Sequence, residues 1–147
     1  MTPDDVVVAE RTITRLLLRY AQAVDRRDYD SIAECYWPEA IDEHATFRGT
    51  AVEYVAWLRL VLPPIAVSTH QFTNMLVDVH SADHASSETY CLNVNVFPGV
   101  DGAPDLLTTT MLRYLDRFAC REGVWRISDR RVVTDWSRSE TPPPMLR

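Results

Sequence analysis

The chain has 147 residues, of which 46% are hydrophobic and 24% charged, with a formal net charge of −6. This composition is typical of a globular domain with a substantial core, and the negative charge argues against a broad nucleic-acid-binding surface. All 15 basic residues are arginine, which excludes Schiff-base chemistry and a pyridoxal anchor, because both need a lysine amine.

The first part of the chain predicts a long amphipathic helix from about Pro3 to Val24, with its apolar residues at helical spacing on one face. Asp25 lies at the edge of that face, one turn past Ala21. A carboxylate that faces a core is costly unless it is paired, so Asp25 needs a partner.

Two further helices are predicted before the middle of the chain. The second covers Tyr29 to Tyr36 with Asp28 as its cap, and the third covers Ala51 to Leu62 and is stopped by two prolines. Between them, residues 41–47 predict a short strand, and Gly49 predicts a turn.

The second half changes to β-branched, aromatic and alternating residues, which predict four long strands in an antiparallel meander. The predicted strands are Val67 to Val79, Ser86 to Phe97, Leu106 to Cys120 and Val124 to Trp136. Helices followed by a meander indicate an α+β fold. Because strands of this length twist strongly, we expect them to curl around the helices into a half-open cone with a small-molecule pocket.

The most informative pair of residues is Asp25 and His70, since histidine is the partner that would make this carboxylate part of a general base near neutral pH. His70 begins a predicted strand and shares a face with Phe72 and Asn74 by alternation. Two plainer interpretations stay open, in which His70 is a structural histidine and Asp25 bonds only nearby backbone or the arginines that follow it.

Other polar residues are expected near this pair. Tyr20 would supply a phenol that donates a proton or a hydrogen bond. Arg130 and Arg131 point to opposite faces of the last strand, so one of them is expected inside, with Arg130 the first choice. Asn93 would orient a ligand carbonyl or satisfy backbone groups. The expected pocket walls are Trp37, Tyr54, Phe72 and Met111.

No cofactor or metal site is expected. His80 and His84 straddle a predicted turn, which favours a surface hairpin over a metal site, and His44 is expected to be exposed in a loop. The three cysteines are widely spaced, which predicts reduced thiols. Because the sequence has no membrane-length apolar run and no leader-like start, we expect a cytoplasmic protein without a membrane partner.

The order of several short motifs resembles a known family. The motifs are Tyr20-x4-Asp25, Asp28-Tyr29-Asp30-Ser31-Ile32, Tyr36-Trp37-Pro38, Phe47-Arg48-Gly49, Thr69-His70-Gln71-Phe72-Thr73-Asn74, Arg113-Tyr114-Leu115-Asp116-Arg117-Phe118 and Gly123-Val124-Trp125-Arg126-Ile127. Together, from about Val8 to Ser137, they resemble the SnoaL-like branch of the nuclear transport factor 2-like superfamily.

The resemblance implies one domain over residues 1–147, with a core at 8–137 and a proline-rich tail at 138–147. It implies a cone-shaped α+β barrel in which three N-terminal helices pack in a strongly curved, mostly antiparallel sheet, and a homodimer or homotrimer. Dehydratases and dehydrochlorinases of this superfamily use an Asp–His pair placed as Asp25 and His70 are. The bile acid 7α-dehydratase pattern has an aspartate where this chain has Asn93.

Three hypotheses follow. The first is a cofactor-independent lyase or isomerase acting on a small hydrophobic, cyclic substrate, with Asp25, His70, Tyr20 and Arg130 as catalytic residues. The second is a non-catalytic ligand-binding protein or a partner of an oxygenase. The third is polyketide cyclisation or epoxide hydrolysis, and epoxide hydrolysis would need a second inward aspartate beside Asp25 and Arg130. Fold alone does not decide between them.

Overall fold

The structure is a computed structural model that describes residues 1–142. Helix α1 covers Pro3–Arg26 and begins with a capping box in which Thr2 and Asp5 bond each other's backbone N–H. It ends at Arg27, which adopts a left-handed conformation with a φ of 56°. Helix α2 covers Tyr29–Glu34 with Asp28 as its cap. It is shorter than predicted, because the chain enters a strand at Tyr36.

Strand β1 covers Tyr36–His44 and turns through residues 45 and 46 into β2, which covers Phe47–Thr50. The prediction of one short strand at 41–47 and a turn at Gly49 is therefore wrong. Strand β1 begins earlier because it pairs with the last strand of the chain, a contact that local sequence does not reveal. Helix α3 covers Ala51–Val61 and begins with a second capping box, formed by Thr50 and Glu53.

The four long strands form as predicted, with small shifts at their ends. They are β3 at Val67–Val79, β4 at His84–Phe97, β5 at Leu106–Arg121 and β6 at Val124–Glu140. Residues 138–140, predicted to belong to a surface tail, extend β6 instead, because Glu140 pairs with Leu107 of β5. The part of that predicted tail at 143–147 lies outside the described residues.

The six strands form one curved, unclosed sheet in the order β2-β1-β6-β5-β4-β3. Neighbouring strands are antiparallel except for β1 and β6, which are parallel. The buried core lies between the helices and the concave face of the sheet and includes Ile13 and Leu17 of α1 and Tyr114 and Phe118 of β5. The α+β cone with N-terminal helices is thus confirmed.

A β-bulge interrupts β3 between Phe72 and Met75. An extra residue in a strand reverses the alternation of all side chains beyond it. Met75 therefore packs against the core, whereas Asn74 is exposed. The expectation that Asn74 shares a face with His70 is wrong for this reason.

Candidate active site

Asp25 and His70 meet where the last turn of α1 crosses the start of β3. The Oδ1 atom of Asp25 lies 2.7 Å from Nδ1 of His70. Both Asp25 oxygens also accept the backbone N–H of His70, at 3.1 and 3.0 Å, and the hydroxyl of Ser68 lies 3.4 Å from Oδ1. A carboxylate that accepts from one ring nitrogen holds the proton there. In the neutral imidazole, Nε2 is then the free base.

The opposite nitrogen of His70 lies beside Asn93. The Nδ2 atom of Asn93 is 3.2 Å from Nε2 of His70 and also donates to the carbonyl of Thr69 at 3.3 Å. The Oδ1 atom of Asn93 accepts from Nδ2 of Asn95 at 2.7 Å. This chain of bonds from Asn95 to Asp25 is consistent throughout with a proton on Nδ1 of His70 and a lone pair on Nε2.

A cavity of about 430 Å³ lies between α3 and the concave face of the sheet. Most of its wall is apolar, and the polar residues come mainly from the sheet. This size and composition are typical of a site for a small molecule. The polar lining residues are His44, Tyr54, Ser68, His70, Asn93, Asn95, Thr110 and Thr134, and the apolar ones include Val24, Trp57, Leu58, Val61, Leu62, Phe97 and Leu112.

His44 lines the same cavity, so the expectation that it is solvent-exposed is wrong. Its side chain is 16% exposed and stacks on the ring of Tyr54, with 5.4 Å between the ring centroids. The Nδ1 atom of His44 is 3.3 Å from the hydroxyl of Tyr54 and 3.6 Å from Oδ1 of the fully buried Asp42. The cavity thus has a second histidine with a carboxylate behind it.

Tyr20 lies behind Tyr54 and does not line the cavity within the described chain. The two phenol oxygens are 2.7 Å apart, and both side chains are buried. Burial raises the pKa of Tyr20 to about 12, against the opposing effect of the Arg130 guanidinium. The pKa of Tyr54 is also raised by burial. Both phenols therefore stay protonated at neutral pH and act as hydrogen-bond donors.

Arg130 points inward, as expected, but it is bound to a carboxylate that the sequence did not single out. Its guanidinium donates two bonds of 2.7 Å to Asp116 and one of 3.0 Å to the hydroxyl of Tyr36. The same hydroxyl donates to Oδ2 of Asp42 at 2.8 Å. The guanidinium also lies 4.1 Å from the ring centroid of Tyr20. This buried network supports the cavity wall from behind.

Four residues expected to bind substrate lie away from the cavity lining that the described residues form. The indole of Trp37 donates to the carbonyl of Ala119 at 3.0 Å. Phe72 packs on Tyr114 with 5.1 Å between ring centroids, and Arg131 is exposed near Glu43. Met111 sits in β5 next to Leu112, and it is Leu112 that faces the cavity. Tyr54 and Asn93 do line it.

Alternation along β1 is the signal that would have located His44 and Asp42, because residues 40, 42 and 44 share a face. Ala40 and Asp42 are buried, and His44 continues the same row toward the cavity. A run of charged residues at 42–44 instead favours an exposed loop when it is read by polarity alone.

Among residues 1–142, no three histidine, cysteine, aspartate or glutamate side chains are grouped so as to hold a metal ion. His80 bonds Ser86, and His84 bonds Asp83, in the β3–β4 turn. None of the helices in this part of the chain is both long and apolar enough to span a membrane.

The fold and the cavity define an α+β cone of the nuclear transport factor 2-like type. A SnoaL-like domain matches residues 5–131, and the chain belongs to that family. The uncharacterized protein Rv2910c of Mycobacterium tuberculosis is 34% identical over 125 residues, which cover 83% of this chain and 82% of that protein. The uncharacterized protein Mb2934c of Mycobacterium bovis matches to the same extent.

Solved structures share the fold at low sequence identity. The hexachlorocyclohexane dehydrochlorinase LinA-type3 from Novosphingobium barchaimii superposes with a TM-score of 0.80 at 20% identity, covering 99% of both chains. A scytalone dehydratase-like protein from Novosphingobium aromaticivorans superposes with a TM-score of 0.80 at 18% identity, covering 99% of this chain and 100% of that one.

Proposed function

We propose that the protein is a cofactor-independent lyase or isomerase that moves a proton at a carbon atom next to a carbonyl group. The observation that carries this proposal is the 2.7 Å contact between Asp25 and Nδ1 of His70, which leaves Nε2 as the base at a largely apolar cavity. The fold shared with a dehydrochlorinase and a dehydratase-like protein adds support for elimination chemistry.

In the proposed reaction, Nε2 of His70 takes the proton and Asp25 stabilises the imidazolium that forms. Asp25 also fixes the orientation of the ring through the backbone N–H of the same residue. Tyr20 and Arg130 act as positioning residues, because Tyr20 supports the hydroxyl of Tyr54 and Arg130 holds Tyr36 and Asp116. Tyr54 and Asn93 contact the ligand.

The proposed substrate is a small hydrophobic ketone or alcohol with one or two rings. A volume of about 430 Å³ accepts such a molecule, and Trp57, Leu58 and Phe97 provide apolar walls. The polar groups near His70 would orient its oxygen atoms.

The exchange of the C2 protons of 1-tetralone in D2O tests this proposal, because it requires a base but no leaving group. We expect His70→Ala to lower the enzymatic exchange rate by about 10²-fold or more, in the range found for general bases. Asp25→Asn should also lower it, since a neutral amide lacks the negative charge with which Asp25 would stabilise the imidazolium. His84→Ala is the matched control, because His84 is 70% exposed and far from the cavity lining.

Loss of the C2 proton signal of 1-tetralone in proton NMR spectra would report the exchange, and near-normal circular dichroism would verify folding of each variant. Equal exchange rates for the wild-type protein and His70→Ala, or none above buffer, would overturn the proposal. Retained binding of 1-naphthol by all variants would then favour a non-catalytic ligand-binding protein or a partner of an oxygenase.

Epoxide hydrolysis and polyketide cyclisation have less support. Epoxide hydrolysis was expected to use Asp25 and Arg130 together, but Arg130 is bound to Asp116 and Tyr36 instead. Asp42 and Asp116 are both buried near Arg130, yet neither they nor Arg130 line the described cavity. No feature of the cavity singles out a polyketide.

A further inference from the structure

Two histidines, His44 and His70, line the cavity, and the proposed reaction uses only one of them. His44 lies on β1 and His70 on β3, which are separated in the sheet by β6, β5 and β4. With about 4.8 Å between neighbouring strands, four steps along the sheet correspond to roughly 19 Å. The curvature of the sheet nevertheless brings both side chains to one cavity of about 430 Å³. A small molecule held in this cavity is therefore within the same enclosure as both imidazole rings.

The ring of His44 has a phenol hydroxyl and a buried carboxylate oxygen close to its Nδ1 atom. Its Nδ1 atom faces the hydroxyl of Tyr54 at 3.3 Å, and that hydroxyl can donate to the neutral ring. The same Nδ1 atom is 3.6 Å from Oδ1 of Asp42, a buried oxygen for which the described residues provide no hydrogen-bond partner. A proton on Nδ1 would give this oxygen a donor after a small movement of the ring.

Nothing comparable surrounds the other two histidines. His80 and His84 bond side chains in the exposed β3–β4 turn. Among the four histidines, only His44 has a buried, unpartnered carboxylate oxygen of the described residues, Oδ1 of Asp42, behind its ring.

We propose that His44 is the general acid of this site and protonates the oxygen that leaves the substrate. The inference rests on the proposed function, in which His70 is the base. The substrate class it implies is a cyclic β-hydroxy ketone, with its α-carbon toward His70 and its hydroxyl toward His44. Asp42 and Tyr54 are positioning residues for His44, and Tyr54 also contacts the ligand.

The proton balance of this step is simple. The C–H bond next to the carbonyl breaks and its proton goes to Nε2 of His70, a C=C bond forms, and the C–O bond breaks. His44 gives its proton to the departing oxygen, so water is released. Afterwards His70 is protonated and His44 neutral, and exchange with solvent restores the starting state without an oxidant or reductant.

Two reactions of related probes separate the roles of the two histidines. Exchange at C2 of 1-tetralone needs only the base, whereas loss of water from 3-hydroxy-1-tetralone, which yields fluorescent 1-naphthol, needs base and acid. For His44→Gln we expect dehydration to fall by about 10²-fold while exchange stays within about threefold of the wild-type rate. Retained exchange also shows that this variant is folded. His84→Gln is the matched control and should change neither rate.

An unchanged dehydration rate in His44→Gln would overturn the role of His44 and leave the proposed function standing. An equal fall in both rates would overturn it as well, because His44 would then be a structural residue. Failure of His70→Ala to slow exchange would overturn the proposed function instead.

A measurement that does not depend on turnover uses the wild-type protein with ¹⁵N-labelled histidine and 1-naphthol as the probe. We expect the ring resonances of His44 and His70 to shift on addition of 1-naphthol, while those of His80 and His84 do not. A shift at His70 without one at His44 would show that the ligand does not reach His44 and would overturn the inference.

Discussion

The side chain of Asn93 decides what the ring of His70 can do. Its amide nitrogen lies 3.2 Å from Nε2 of His70 and donates to the lone pair of that atom. This bond fits the ring tautomer that carries its proton on Nδ1, toward Asp25. The Asn95 amide fixes the orientation of Asn93 through its oxygen. In the proposed reaction, the substrate would displace this amide from Nε2 before His70 could accept a proton.

We expect Asn93→Asp to abolish this base function. A carboxylate at position 93 cannot donate a hydrogen bond to Nε2 of His70. It can only accept one, which requires a proton on Nε2 as well as on Nδ1 of His70. The imidazolium so formed cannot accept a proton from a substrate. Exchange of 1-tetralone at pH 7 should fall by about 10²-fold, and ¹⁵N spectra should show both ring nitrogens of His70 protonated. Asn74→Asp, on the exposed side of the β3 bulge, is the control. A neutral His70 in Asn93→Asp would contradict this account.

Residues whose environment is set by local pattern were predictable, and those set by distant pairing were not. The position of Asp25 follows from the face of one helix, and alternation along one strand predicts that one of Arg130 and Arg131 points inward. The partner of Arg130 is Asp116, from the neighbouring strand β5, and the register Asp116↔Arg130 is a property of the assembled sheet. Met111 and Leu112 alternate, and only the assembled sheet shows that Leu112 is the one that faces the cavity.

At the level of elements, α3 supplies the apolar wall of the cavity opposite the sheet. Tyr54, Trp57, Leu58 and Val61 all project from it into the lining. Its start is defined by the capping box between Thr50 and Glu53, with Thr50 also ending β2. The stability of this one helix terminus therefore affects the position of the whole wall.

Thr50→Ala should lower the free energy of unfolding by about 1 kcal/mol, the usual cost of losing an N-cap side chain. Urea unfolding followed by tryptophan fluorescence measures the change. Thr12→Ala is the matched control, because Thr12 is an exposed residue inside α1 whose hydroxyl bonds only the Val8 carbonyl. Equal free energies of unfolding for Thr50→Ala and the wild-type protein would show that the capping box of Thr50 and Glu53 does not stabilise the fold.

At the scale of the whole molecule, the core contains four fully buried tyrosines, Tyr20, Tyr36, Tyr54 and Tyr114. The rings of all but Tyr54 lie around the guanidinium of Arg130. Burial raises the pKa of each phenol above its ordinary value of 10.0. The folded protein therefore retains protons that the unfolded chain loses above pH 10. The stability that depends on these protons is complete below pH 10 and is lost as the pH rises toward about 12 for Tyr20.

We expect the free energy of unfolding to fall between pH 10 and pH 12 by about 1.4 kcal/mol per pH unit for each such tyrosine. In Tyr20→Phe, the free energy of unfolding should fall less steeply with pH, by about 1.4 kcal/mol per pH unit. The same substitution also lowers stability at neutral pH. Lysine does not contribute in this range because the chain has none. Urea unfolding at several pH values measures the slope, and an unchanged slope in Tyr20→Phe would contradict the burial argument.

The carboxylate of Asp25 has a second consequence, for association between molecules. Strand β3 is the last strand of the sheet, and the outward N–H of His70 on its free edge is bound by Asp25. Unpaired groups on such an edge are templates for pairing with another chain. By covering this donor, the end of α1 protects the sheet against edge-to-edge aggregation. This role of Asp25 at the sheet edge does not depend on the proposed reaction.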